Sequence, residues 1–134
     1  MMFGALHTSA SGLNVFRTWM DALSDNVANL NTVRPTSEAA FQARYVLAQS
    51  VGNGQPGVTG GARVAGVVYG DPQGHVVHQP DHPLADADGL VRYPSTDLGT
   101  QMTELLVAQR GYQANLSVID RARDAYLQAI TLGR

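Results

Sequence analysis

Apolar residues recur every seven residues near the start of the chain. In heptad notation, positions a and d of residues 6–30 are apolar with one exception, Ser9. The a positions are Leu6, Leu13, Met20 and Val27, and the d positions are Ser9, Phe16, Leu23 and Leu30. A period of this kind is typical of a long amphipathic helix that packs along another helix.

Residues 98–130 carry the same period. The a positions are Met102, Gln109, Leu116, Arg123 and Ile130, and the d positions are Leu98, Leu105, Tyr112, Ile119 and Tyr126. The two polar a residues would fix the helix register if they were buried, or would face a solvated gap. We therefore predict that the terminal helices pair as an α-helical coiled coil.

Between the helices the period changes from seven to two. In residues 41–48, the side chains of Phe41, Ala43, Tyr45 and Leu47 are predicted to form the buried face of a strand. Residues 62–70, 75–78 and 89–93 also read as strands, separated by segments rich in turn residues. The predicted fold class is α+β, with a helix in residues 1–34, a small antiparallel β unit in 35–96 and a helix in 97–134.

Composition excludes several classes of function. The formal net charge of −2 gives no electrostatic reason to expect nucleic acid or an anionic membrane as a partner. The chain has no cysteine, so disulfides, thiolate metal sites and cysteine nucleophiles are excluded. No stretch of about twenty apolar residues predicts membrane insertion, and the N-terminus lacks the pattern of a cleaved secretory signal peptide.

Two short motifs resemble ligand-binding loops but lack essential parts. Gly52, Gly54 and Gly57 match the glycine spacing of a dinucleotide site, but a loop and a predicted strand follow where a helix is needed. Asp86 and Asp88 precede Gly89 as in a calcium loop, but the leading aspartate and the closing glutamate are missing. We interpret the first as a hairpin loop and the second as a turn capped by aspartates.

Three histidines lie close together in the sequence. His75, His78 and His82, with Asp81 nearby, could approach one another in a loop, but they lack the spacing and cysteine partners of common zinc sites. No serine, histidine and acid combination has a recognisable catalytic spacing. We predict no enzyme activity, no cofactor and no metal; a small hydrolase or metal enzyme that uses the histidine loop is the least favoured hypothesis.

Four asparagines lie beside the predicted seams. Asn26, Asn29 and Asn31 occupy positions g, c and e of the first helix, and Asn115 occupies g of the second. Asn31 suits a helix end, and Pro35 disfavours helix at the residue before it. Asparagine is a mediocre helix former, so Asn26 and Asn115 suggest hydrogen bonds that fix how helices meet.

The asparagine segments resemble a known family. "SDNVANLNT" (residues 24–32) resembles the N-terminal signature of the bacterial flagellar axial proteins, and "QRGYQANLSVI" (residues 109–119) resembles their C-terminal signature. "HPLADADGLVRYPSTDL" (residues 82–98) is similar to the short proximal rod proteins of that family. The segment "TSEAAFQARY" and the pair Ser95–Thr96 depart from the usual family pattern.

This resemblance implies a structural subunit of the flagellar rod that acts in motility. Its expected partners are other rod proteins, copies of itself and the flagellar type III export apparatus, without nucleic acid or a small-molecule substrate. The implied location is the periplasmic part of the basal body, reached without a cleaved signal peptide. The alternative is a soluble helical adaptor that binds a partner helix in the cytoplasm.

The residues expected to pack against other subunits combine the seams, an apolar flank and the amides beside them. They are Leu13, Trp19, Met20, Leu23, Asn26, Val27, Asn29, Leu30, Leu105, Tyr112, Asn115, Leu116, Ile119 and Tyr126.

Overall fold

The computed structural model describes residues 2–52 and 60–133 and confirms the α+β class. Within these residues, two long helices flank five strands in the sequence. The elements are α1 (Met2–Ala28), β1 (Arg34–Pro35), β2 (Arg44–Val51), β3 (Gly61–Tyr69), β4 (His75–His78), β5 (Leu90–Tyr93) and α2 (Leu98–Leu132). Neither helix is long and apolar enough to cross a membrane, within the residues described.

The described strands form two antiparallel sheets where the sequence suggested a single β unit. One sheet has the order β1-β5-β4, and the other is the hairpin β2-β3, with a bulge between Leu47 and Ala48. Strand β1 is two residues long and was not predicted. It pairs Pro35 with Val91 at the edge of its sheet. Proline has no backbone N–H to donate, and an edge strand tolerates this because one of its sides has no partner strand.

The connection from α1 to the hairpin runs through the three-stranded sheet. After β1, the Ala40 N–H donates to the Pro72 carbonyl at 2.8 Å, and the Gly70 N–H donates to the Ala43 carbonyl at 2.8 Å. Ala40 and Ala43 are buried. These contacts hold the segment that departs from the usual family pattern against the turn between β3 and β4.

The predicted inward face around β2 is right at Ala43, which is buried just before the strand, and wrong at Tyr45 and Leu47. The strand begins at Arg44, and Tyr45 and Leu47 are exposed while Arg44 and Val46 are half-buried. The half-buried face turns towards α1, where Asn26 binds the backbone of Arg44. Alternation along a strand defines two faces, but the position of the helix selects which of them is covered.

The two helices pack against each other in antiparallel directions. The ring centroids of Phe3 and Tyr126 lie 6.5 Å apart at one end, and Asn26 is hydrogen-bonded to Gln101 at the other. Asp97 caps the start of α2, because its carboxylate accepts a 2.8 Å hydrogen bond from the Thr100 N–H. The second side of α1 carries the hairpin, where the Ala62 N–H donates to Ser11 Oγ at 3.0 Å.

In α1 the predicted d residues Ser9 and Leu23 are buried, but in α2 the line of contact differs from the predicted a/d seam. In α2 the fully buried positions are Gln101 and Ala108, which both have heptad position g, whereas Met102, Leu116 and Ile130 at position a are exposed. Gln109 and Arg123 are also exposed, as expected if they face solvent. The g positions of α2 face α1 because their residues are small or form hydrogen bonds. The helices can therefore approach closely, as the contacts described below show.

Candidate subunit-packing site

A buried amide joins three elements at the end of α1. Asn26 has no exposed surface, and its Oδ1 accepts a 2.8 Å hydrogen bond from the Arg44 N–H at the start of β2. Its Nδ2 donates to the Arg44 carbonyl at 3.0 Å and to Gln101 Oε1 in α2 at 2.9 Å. Both atoms of the amide are therefore satisfied inside the chain, and Asn26 fixes β2 and α2 relative to α1.

Gln101 is the partner that sequence reasoning missed. It is 2% exposed, and a glutamine near the start of a helix carries no signal that distinguishes it from a solvated residue. Only its position opposite Asn26 makes it a core residue. The neighbouring ion pair between Arg44 and Asp25 reinforces the same junction from its more exposed side.

The other predicted asparagines have local roles within the chain. The Asn29 Nδ2 donates to the Asp25 carbonyl at 2.9 Å, and its Oδ1 accepts from Thr32 Oγ1 at 3.1 Å, which closes the end of α1. Asn31 is exposed beyond that end. The Asn115 Nδ2 donates to the Gly111 carbonyl at 2.9 Å in its own helix. A role for these amides in contacts between subunits stays a prediction.

Two glycines set the distance between the helices. A Cβ on Gly12 would lie 2.8 Å from Asn115 Oδ1, and a Cβ on Gly111 would lie 2.3 Å from the Phe16 ring. Each glycine therefore gives room to a larger side chain of the opposite helix. From the sequence, Gly12 reads only as a weak point of a helix; the structure gives the packing reason for its presence.

One side of α2 carries a row of apolar residues that the described part of the chain leaves largely exposed. We call it the α2 outer face; it comprises the exposed residues that the helical period places on one side, Leu98, Met102, Leu106, Leu116, Leu127 and Ile130. Exposed apolar side chains aligned along one side of a helix favour packing against another protein. The hairpin adds a smaller patch, in which Tyr45 pairs with Val68 and both are exposed.

The predicted packing residues divide into three groups by their position. Leu23 and Asn26 are buried within the chain. Leu116 and Tyr126 are exposed, and Tyr126 also contacts Phe3. The half-buried group is Leu13, Trp19, Met20, Val27, Asn29, Leu30, Leu105, Tyr112, Asn115 and Ile119. Of these residues, only Leu116 belongs to the α2 outer face.

The aspartate motif forms a turn, as predicted. Asp86 Oδ1 accepts 2.9 Å hydrogen bonds from the N–H groups of Asp88 and Leu90, and Oδ2 accepts one of 2.6 Å from Thr36 Oγ1. The hydrogen bond from Thr36 lowers the pKa of Asp86 most, with further lowering by the Leu90 N–H. Gly89 has φ of +74°, a conformation that glycine adopts without strain. Both oxygens of the Asp86 carboxylate thus accept hydrogen bonds from within the chain.

The histidines occupy separate environments. His75 stacks on Tyr93 with ring centroids 5.8 Å apart, and His82 Nδ1 accepts a 3.1 Å hydrogen bond from the Leu84 N–H. In the described part of the chain, no three histidine, aspartate or glutamate side chains come together as metal ligands. Most of the glycine motif, residues 53–59, lies outside the described residues.

Comparison with known proteins shows which family this chain resembles. A family model for the flagella basal body rod protein matches residues 6–36, and one for the flagellar basal body rod FlgEFG protein C-terminal region matches residues 88–132. The flagellar basal-body rod protein FlgC of Yersinia enterocolitica is 34% identical, and the aligned region covers 94% of this chain and 93% of that protein. The chain belongs to the FlgC family.

Other relatives extend the similarity across bacteria. FlgC of Salmonella typhimurium is 33% identical over 86% of this chain and 85% of that protein. FlgC of Bacillus subtilis is 27% identical over 98% of both chains. The FlgC proteins are structural, non-enzymatic proteins, and this chain is accordingly a structural subunit of the flagellar basal-body rod, which serves motility. The residues matched by the two family models include most of both helices, with Asn26 in the first match and Gln101 in the second.

Proposed function

We propose that this subunit joins the proximal rod through its terminal helices, which pack in a coiled-coil layer with copies of itself and with other rod proteins. The observation that carries the proposal is the α2 outer face, whose apolar residues recur along the helix and stay exposed in the described part of the chain. Burying apolar surface yields about 25 cal/mol per Å², so a helix of another subunit that covers this face would gain free energy in proportion to its length.

The internal contacts assign different tasks to the two sides of α2. Its inner side packs against α1, where Gln101 contacts Asn26 and Gly111 contacts Phe16. Its outer face is therefore available to a neighbouring subunit without loss of the chain's own packing. The exposed pair Tyr45 and Val68 on the hairpin offers a second, smaller contact.

We also propose that the chain reaches the rod through the flagellar type III export apparatus, without a cleaved signal peptide, and lies in the periplasmic part of the basal body. The support is the similarity of residues 24–32 and 109–119 to the signatures of the flagellar axial proteins. Secretion of the tagged chain by cells with and without a functional export apparatus tests this step separately from assembly.

The substitution Leu116→Asp tests the assembly proposal. Leu116 is 42% exposed, so a carboxylate there should change the free energy of unfolding of the isolated subunit by about 1 kcal/mol or less. In the rod the same carboxylate would have to be desolvated against an apolar neighbour, and assembly should fail. The variant is expressed in a strain that lacks the gene, and motility and complete basal bodies are scored.

Leu84→Asp is the matched control. Leu84 is 41% exposed but lies in the loop between β4 and β5 and not in a helix. We expect the Leu84→Asp strain to swim and the Leu116→Asp strain not to swim, with both proteins folded and secreted. Normal swimming by the Leu116→Asp strain, or equal failure of both strains, would contradict the proposal.

A further inference from the structure

Three contacts between α1 and α2 share one alignment of the helices. Asn26 binds Gln101, Phe16 lies against Gly111, and Gly12 lies against Asn115. From Gly12 to Asn26 and from Gln101 to Asn115 the separation is fourteen residues, or two heptads, on each helix. Phe16 lies four residues after Gly12, and Gly111 lies four residues before Asn115, so this pair fits the same alignment. The contacts therefore define a single antiparallel register along the whole pair.

Each contact joins two residues whose shapes or hydrogen-bonding groups match. Asn26 is completely buried and uses Gln101 as an acceptor. The Phe16 ring occupies the space that a side chain on residue 111 would need, and the Asn115 amide occupies the space above Gly12. Apolar residues at a and d would permit several registers, because leucine-like side chains recur every heptad.

A slip of one heptad would remove all three matches. It would move α2 by about 10 Å along α1. In one direction Asn26 would face Ala108, which has no hydrogen-bonding side chain, and Phe16 would face Val118 where it now meets a glycine. The native register thus avoids both the loss of one buried hydrogen bond of Asn26 and a steric overlap at Phe16.

We infer that the pairs Asn26–Gln101, Phe16–Gly111 and Gly12–Asn115 select the register of the two terminal helices. The register determines where the α2 outer face stands relative to the β-sheets, and hence which surface a neighbour meets. The inference concerns packing within one chain, and it stands or falls independently of the proposed function.

Thiol crosslinking of the purified full chain measures the register directly. The chain has no cysteine, so two introduced cysteines form a unique pair. The observed alignment places Ala122 opposite Ala5, and a slip of one heptad would place Ala129 there. We compare Ala5→Cys/Ala122→Cys with Ala5→Cys/Ala129→Cys, using a short bifunctional thiol reagent and mass spectrometry. The first pair should crosslink severalfold faster than the second.

Matched variants then test which residues select the register. Gln101→Leu removes the acceptor that α2 offers to Asn26, whereas Gln109→Leu makes the same change at an exposed position. Gln101→Leu should lower the ratio of the two crosslinking rates severalfold, and Gln109→Leu should leave it unchanged. Phe16→Ala provides a second variant with the same expected effect as Gln101→Leu.

Two outcomes would overturn the inference. One is equal crosslinking of the two cysteine pairs in the otherwise unchanged chain. The other is a ratio that Gln101→Leu and Phe16→Ala shift no more than Gln109→Leu does. Neither measurement requires a flagellum or a partner subunit.

Discussion

At the scale of single residues, Asn26 shows how a polar side chain can organise an otherwise small core. It has no exposed surface and bonds both backbone groups of Arg44 as well as Gln101. An apolar residue at the same place would bury more hydrocarbon but would leave the Arg44 backbone without these partners. Buried amides of this kind specify geometry more than they add stability.

Asn26→Ala should destabilise the subunit by about 2 to 4 kcal/mol, because the backbone groups of Arg44 and the Gln101 side chain would lose their partner in a buried site. Urea unfolding of the purified chain measures the change. Asn31→Ala, at an exposed position beyond the helix, is the matched control and should stay within about 0.5 kcal/mol of the unsubstituted chain. A similar effect of both substitutions would argue against the role of Asn26.

Asp86 predicts how the stability of the fold depends on pH. Its hydrogen bonds, from Thr36 first and Leu90 next, hold its pKa below the usual value of 3.8. The unfolded chain therefore takes up this proton first as the pH falls. The stabilisation is present above the unfolded pKa and is lost as the pH falls through the lower pKa of the folded state.

Asp86→Asn should flatten this pH dependence. We expect the variant to be less stable than the unsubstituted chain at about pH 6, and the difference to shrink towards about pH 3 and below. Urea midpoints recorded across that range provide the measurement. If the two chains differed in stability by the same amount at every pH, the charge of Asp86 would not be the source of the pH dependence. Since Asp86 also ties the turn to Thr36, its removal affects more than one local hydrogen bond.

At the scale of elements, α1 is a shared support with two used sides. One side contacts α2 through Gly12 and Phe16, and another carries the hairpin through Ser11. Helix α2 uses one side only, and its outer face remains exposed. This asymmetry makes α2 the better candidate for contacts with neighbouring subunits.

Gly111→Ala tests the close approach of the helices. Alanine favours a helix by about 1 kcal/mol over glycine, so the substitution would stabilise an isolated α2. In the folded chain the new Cβ would lie 2.3 Å from the Phe16 ring, and we expect a net destabilisation of about 1 to 3 kcal/mol. Calorimetric melting measures it. Gly66→Ala, whose Cβ would meet no atom within 4 Å, is the control; a stabilised Gly111→Ala chain would refute the contact.

At the scale of the whole molecule, burial is concentrated at one end of the helix pair. Asn26, Gln101 and Ala108 are fully or almost fully buried, whereas almost every residue of α2 after Asn115 is exposed. The hairpin also holds the end near Asn26, through the backbone of Arg44. The distal part of α2 therefore depends most on neighbours for its order.

Hydrogen exchange of the dilute monomer should reveal this gradient. We expect protection in residues 15–28 and 98–115 and fast exchange in residues 118–132, because few buried contacts oppose the conformational entropy of that segment. Assembly should extend the protection through residue 132. Uniform strong protection of α2 in a proven monomer would contradict the expectation.

The sequence by itself determined features that depend on local order. The heptads predicted both long helices, alternating residues predicted strands close to β2 through β5, and Asp86 with Gly89 predicted a turn. The motifs around Asn26 and Asn115 indicated the rod family. Each of these follows from residue spacing and local backbone preferences, which a sequence carries directly.

Only the tertiary structure decided which surfaces meet. The heptads permitted contact at a and d, but Gly12 and Gly111 admit Asn115 and Phe16 from the opposite helix and bring the g side inward. Asn26 reads as a flank residue and becomes the centre of the core only because Arg44 and Gln101 reach it from elements distant in sequence. The choice of face depends on how the shapes and hydrogen-bonding groups of distant residues fit together, which the period of one segment does not encode.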